Sequence, residues 1–279
     1  MVETTHSSTA LSGTVTKAAA GCTLQVRRAH WIGLLTIVAA TLLWWLLTSV
    51  TGIVSEVRFP SPGAFLLALN RLSTAGYAGG LLWEHAVHSV RLVLLGFTVA
   101  VVVGVPLGFG MGYDRRIEAF VNPVFLLLRP IPPLAWIPLA IVWLGLSDGS
   151  KILVIFVAAF VPSVINTFTG VRNTRRTLIE AARVHGANRR RLLLEVYLPG
   201  SLPLIFTGLK LSMQASWTTL VAAELVGAFL GLGRVLSSAY RDINTAMILV
   251  AMVTIAILGA LTTRAIGWAE RRATPWLAE

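Results

Sequence analysis

VRLVLLGFTVAVVVGVPLGFGMG, residues 90–112, carries a single charge, Arg91, in an otherwise apolar run. A hydrocarbon core of ~30 Å requires ~20 such residues at ~1.5 Å rise each. The run therefore predicts a membrane-spanning helix. Five further stretches reach that length, at residues 31–51, 119–144, 152–170, 201–228 and 246–267. The expected fold is all-α, a polytopic membrane protein with six transmembrane helices. Composition agrees: 56% of residues are hydrophobic and only 13% charged, too few charges to cover a soluble surface.

Charge placement orients the spans. The net charge of +11 first suggests nucleic acid. With a cytoplasmic N-terminus, however, segments 1–30, 113–118, 171–199 and 264–279 lie inside and hold fifteen Lys/Arg, against five in the outer segments 52–87, 145–151 and 229–245. This is the positive-inside asymmetry, so topology accounts for the basic balance and no nucleic-acid partner is expected. Residues 1–30 read as a disordered cytoplasmic tail, 31–270 as the membrane domain and 271–279 as a cytoplasmic C-terminal tail. The run at 31 is too long and Trp-rich for a cleaved signal peptide. Cys22 is the only cysteine, which excludes disulfides within the chain.

Several details refine the spans. Gly104, Gly108 and Gly112 form a small-residue ridge for close helix contact. Residues 64–72 read as a short surface helix outside the membrane. Arg129-Pro130-Ile131-Pro132-Pro133 must kink or break the third span, because proline removes a donor and clashes with the preceding turn. Beside Glu84, His85 and His88 offer two imidazoles three residues apart, but no third or fourth ligand of the kind zinc demands appears nearby, so no metal is expected. No G-x-x-x-x-G-K-[ST] loop occurs, so ATP binding by this chain is not expected.

Two constellations carry the functional reading. In segment 171–199, Thr177 to His185 reads as a short helix bearing Glu180, Ala181 and Ala182, closed by a Gly186 cap. Asn188 caps a second helix that is expected to stop at Pro199, after Leu198. Such a basic knob suits docking on a cytoplasmic partner; the plainer reading is a solvated loop whose arginines fix topology. In the fifth span, Lys210, Gln214, Trp217, Val221 and Glu224 recur at 4-3-4-3 spacing, within about an 80° arc of one helix face. Polar groups inside a bilayer face a cavity or a partner, so this face is expected to line a pathway. Lys210 could instead snorkel to the inner surface, and Glu224 could serve only structure. Arg129 is the other pathway candidate, unless it pairs with Glu118, Glu224 or carbonyls.

Glu180-Ala181-Ala182, Gly186 and Val196-x-Leu198-Pro199 resemble the EAA loop of ABC importer permeases. The segments Arg129–Pro138, Trp217–Glu224, Gly231–Gly233 and Arg271–Trp276 are similar to the taurine, aliphatic-sulfonate and nitrate branch, with the C-terminal segment leaning toward taurine. Gln214 departs from a small residue there, and His185 from an apolar one. The resemblance implies a type I permease in the bacterial inner membrane. It would pair with a second copy, dock two ATPase subunits that carry ATP and Mg, and receive a small anion from a solute-binding protein. Permeases for nitrate or vitamin precursors share much of this pattern. A stand-alone secondary transporter would need no docking loop, and inverted repeats are not seen.

Overall fold

The computed structural model describes residues 35–50, 55 and 58–277. The expected tail 1–30, the first four residues and the last residue of the expected first span, and the last two residues of the chain lie outside them. The chain divides at Ala64 into two units. In the first, helix α1 (Leu35–Ser49) is apolar. Its Trp44 Nε1 donates to the Pro60 carbonyl at 2.9 Å, and the Trp44 ring meets Phe59 edge-on.

The second unit is built from helices alone among the described residues. Helix α2 (Pro62–Thr74) leads into it and buries Ala68 and Leu72 against later helices, so its inner face is core rather than free surface. Next come α3 (Leu82–Tyr113), α4 (Arg115–Leu128), a 3-10 turn at Pro133–Trp136, α5 (Ile137–Leu144) and α6 (Asp148–Arg172). Helix α7 (Arg176–Val184) precedes the long α8 (Arg189–Gly227). Helices α9 (Leu232–Arg241) and α10 (Thr245–Ala273) complete it.

Among the described residues four helices, α3, α6, α8 and α10, are long and apolar enough to cross a bilayer. Helix α4 with the 3-10 turn and α5 makes a fifth if the pair is taken as one span, bent by 81° where Pro130, Pro132 and Pro133 interrupt the expected span. The sixth expected segment is α1, whose described length of about 22 Å falls short of a full crossing.

Glycine sets the closest contacts. A Cβ at Gly108 would lie 2.5 Å from the Val164 carbonyl oxygen, and one at Gly112 2.7 Å from Val171 Cβ. These contacts, with Gly96 against Ile155 and Gly104 against Ser163, run α3 parallel to α6. Gly170 meets Ser201 and Gly208 meets Asn166, which runs α8 antiparallel to α6. The N-terminal ends of α3 and α6 therefore share one end of the bundle with the C-terminal end of α8. The loop carrying α7 lies at the opposite end.

The expected stop at Pro199 does not occur. The helix opens into a π-turn over Leu192–Tyr197, where the Leu198 N–H reaches back five residues to the Leu193 carbonyl. That widened turn makes room for the proline ring, so α8 continues without ending.

Candidate functional site

Helix α7 is short and exposed along most of its length. Nine residues are marginal as an isolated helix, so its ends matter. Gly186, at φ +78°, turns the chain out of the helix. Its N–H reaches the Arg183 carbonyl at 2.9 Å, and the Ala187 N–H reaches Ala182 at 3.0 Å. These two bonds are the paired closure of a Schellman motif. His185 adds a third, Nδ1–H donating to the Ala181 carbonyl at 2.8 Å. Asn188 Oδ1 then accepts from the Arg191 N–H and opens α8.

The knob's surface mixes charge with apolar side chains. Glu180 and Ala181 are exposed and Ala182 is half-buried. Val184 is 85% exposed, and Leu178, Leu194 and Leu198 also show apolar surface among the arginines. Exposed apolar groups beside a closed helical turn form a surface that a partner can cover. Pro199 is half-buried just past the π-turn, and Tyr197 meets Tyr113 at the end of α3 edge-on, centroids 5.3 Å apart.

The polar residues of α8 meet different neighbours. Gln214, Trp217 and Val221 line a groove of about 910 Å³ with α10, which contributes Met252, Ala256 and Gly259. Gln214 is exposed, whereas Trp217 is buried and donates its Nε1–H to Thr262 Oγ1 at 3.0 Å. Lys210 is ion-paired with Glu270 of α10, so its charge is compensated within the chain. Glu224 lies apart from that groove, 1% exposed.

Glu224 instead brackets the start of α9. It accepts from Ser89 Oγ at 2.8 Å and from the Gly233 N–H at 2.7 Å. Ser89 in turn accepts from the Leu232 N–H, and His85 Nδ1 accepts from the Gly231 N–H. His85 Nε2–H donates to the Tyr77 carbonyl, which fixes the neutral tautomer. Three successive N–H groups at the opening of α9 are thus satisfied by side chains of α3 and α8 rather than by a cap of its own. Glycine is needed here because a Cβ at Gly231 would sit 2.2 Å from the Glu224 carboxylate.

Arg129 is exposed at the bend of the broken helix pair. It does not take Glu118, which binds Arg172 at 2.6 Å with both oxygens. The set Glu84, His85 and His88 is dispersed: Glu84 accepts from the Leu81 N–H, and His88 lies 3.3 Å from Asp148. Glu270 was not legible in the sequence as a partner, because it lies 60 positions from Lys210 with no local pattern linking them. The role of Gly231 and Gly233 was signalled in the sequence only by a lone intramembrane carboxylate followed by Gly-Leu-Gly.

Residues 100–275 match the family described as binding-protein-dependent transport system inner membrane component. The chain is 36% identical to the taurine transport system permease protein TauC of Escherichia coli, over 85% of this chain and 86% of that protein. It is 32% identical to a putative aliphatic sulfonates transport permease protein, SsuC, of Bacillus subtilis, over 90% and 89%. It is 34% identical to the bicarbonate transport system permease protein CmpB of Synechococcus elongatus, over 82% and 84%. Its fold is similar to a chain of the MetNI methionine ABC transporter in an inward-facing conformation, with TM-score 0.58 and 22% identity, covering 69% of this chain and 96% of that one.

Proposed function

The chain belongs to the family of binding-protein-dependent transport inner-membrane components, as an ABC transporter permease, and we propose that it imports a small anion, a sulfonate such as taurine. The observation that carries the coupling half of this reading is α7 with its Schellman closure, a preformed basic and apolar knob at one end of the bundle. In the proposed assembly two copies of the chain enclose the pathway, and two ATPase subunits, which bind ATP and Mg, seat on the two knobs. A solute-binding protein delivers substrate at the other end. The N-terminus lies in the cytoplasm of a bacterial cell, with the protein in its inner membrane.

Closure of the ATPase pair would press on Glu180, Ala181, Ala182 and Gly186, and the motion would pass through Leu198 and Pro199 into α8. Such an element exchanges two access states that ligands bias at a distance. Along the route, Gln214 and Trp217 supply a groove wall, and Arg129 supplies positive potential that lowers the cost of moving an anion through a low-dielectric region. Lys210 contributes less, because Glu270 balances it.

The anion assignment draws support from relatives named for taurine, aliphatic sulfonates and bicarbonate. The bicarbonate relative favours a second reading, an inorganic oxyanion such as bicarbonate or nitrate carried by the same route. Reconstitution with the cognate ATPase and binding protein separates them. ATP-dependent accumulation of taurine is the expected result. Uptake without any ATPase subunit would overturn the permease assignment, and uptake of bicarbonate or nitrate in place of taurine would overturn the sulfonate.

A further inference from the structure

A second cavity, of about 190 Å³, opens at the end of the bundle opposite α7, between the close of α8 and the outer face of α9. Arg234, Ser237 and Arg241 enter its wall from α9 at positions i, i+3 and i+7, which brings them onto one helix face. Its remaining wall is mainly apolar, from Leu146, Val226 and Phe229.

The two guanidiniums differ in how they are held. Arg241 is steadied from below: Nη1 donates to Ser237 Oγ at 3.0 Å and Nη2 to Ser238 Oγ at 3.3 Å. Neutral hydroxyls position it without cancelling its charge. Arg234 is half-buried, and its Nε is buried with no hydrogen-bond partner. Among the described residues neither arginine forms an ion pair. A buried guanidinium donor left unmet is costly, and a ligand that accepts from it removes that cost.

The wall also contains Glu224, the one carboxylate there. Its oxygens accept from Ser89 and Gly233, and it holds the opening of α9 rather than either arginine. Two positive groups against one already engaged negative group leave the cavity attractive to a single negative charge. Planar guanidiniums match the paired oxygens of sulfonate, carboxylate or bicarbonate. The volume equals roughly six water molecules, which admits a short carbon chain and excludes nucleotides and long lipids.

We propose that the cavity walled by Arg234, Ser237 and Arg241 is a binding subsite for a small oxyanion, occupied at the outer mouth before the substrate passes between helices. The subsite rests on the reading of the chain as an anion importer and extends it to named residues. The apolar wall accepts the short alkyl chain of an alkanesulfonate, and Arg234 Nε gains the acceptor it lacks.

The test uses the permease assembled with its ATPase subunits in vesicles. Cys22→Ser removes the only native thiol, and Ser237→Cys places one in the cavity. Labelling rates are compared for 2-sulfonatoethyl methanethiosulfonate and its trimethylammonium counterpart. A positive cavity should favour the anionic reagent by about 10-fold relative to Tyr240→Cys, at an exposed position of the same helix. Arg234→Gln should bring the ratio most of the way to that reference, with Arg234→Lys between the two. Taurine at millimolar concentration should slow the anionic labelling.

An unchanged ratio in Arg234→Gln, or no protection by taurine, bicarbonate or nitrate, overturns the subsite. If bicarbonate or nitrate protects and taurine does not, the subsite stands and the sulfonate reading falls. If vesicles accumulate taurine while the ratio and protection are both absent, the importer reading stands and the subsite falls.

Discussion

Replacing Gly186 separates backbone geometry from surface chemistry at the knob. Gly186 sits at φ +78°, and a Cβ built there would meet no atom within 4 Å. Gly186→Ala therefore adds left-handed strain and nothing else, about 1 kcal/mol. That corresponds to about a fivefold loss in the ratio of closed to frayed turn. Gly186→Asn should cost less, because Asn visits this region readily. Gly186→Pro forces φ near −65° and deletes the N–H that reaches Arg183 at 2.9 Å. It also moves Ala187 away from Ala182, so about 3 kcal/mol or more is lost and the turn opens in most molecules. The assay is stimulation of ATPase activity by taurine-loaded binding protein in reconstituted vesicles, normalised to inserted permease. Asn should match wild type, Ala should fall several-fold at limiting binding protein, and Pro should sit at the basal rate. Full stimulation in Gly186→Pro at normal membrane abundance would refute the argument that the closed turn transmits coupling.

Three further outcomes follow from particular contacts. Gly108→Leu should prevent accumulation of folded permease, because even its Cβ would meet the Val164 carbonyl at 2.5 Å; membrane abundance by immunoblot checks this. Lys210→Met should destabilise the purified protein slightly, and adding Glu270→Gln should restore part of the loss. The pair is partly exposed, so a double-mutant cycle on melting temperature should return about 1 kcal/mol or less. Tyr77 lies outside the spanning helices, where burial, reinforced by its hydrogen bond to Asp242, pushes the phenol up to about 12. The folded state thus favours the protonated phenol; its stabilisation is complete below pH ~10 and lost as pH rises toward about 12, and Tyr77→Phe should abolish that alkaline component of the melting curve.

The helices were legible because a bilayer imposes a length and a composition that few other environments demand. The break after Arg129 was legible because three prolines leave a helix no alternative. Gly186 was legible for the same local reason: a helix end needs a residue that tolerates positive φ. Pro199 misled, because a π-turn accommodates a proline ring only through a rearrangement of the six residues before it. The fifth-span stripe was legible only in part. Its angular spacing was real, yet which neighbour each residue meets depends on α10, α3 and the approach of α9, none of which local spacing encodes. Lys210 is answered by Glu270 and Glu224 by the backbone of Gly233, so two charges placed on one face by periodicity serve different contacts.

The continuity of α8 has a mechanical consequence. Thirty-nine residues without a break give a rod of about 58 Å, with the α7 knob at one tip and the Glu224 bracket near the other. Pivoted at its knob end, such a rod converts a tilt of about 5° into a sweep of about 5 Å at the far tip, by the helical rise alone. Had the helix stopped at Pro199, that movement would have been absorbed by a hinge. The π-turn keeps the lever arm whole, so a small tilt at the α7 end becomes a shift of molecular width at the opposite end of the bundle.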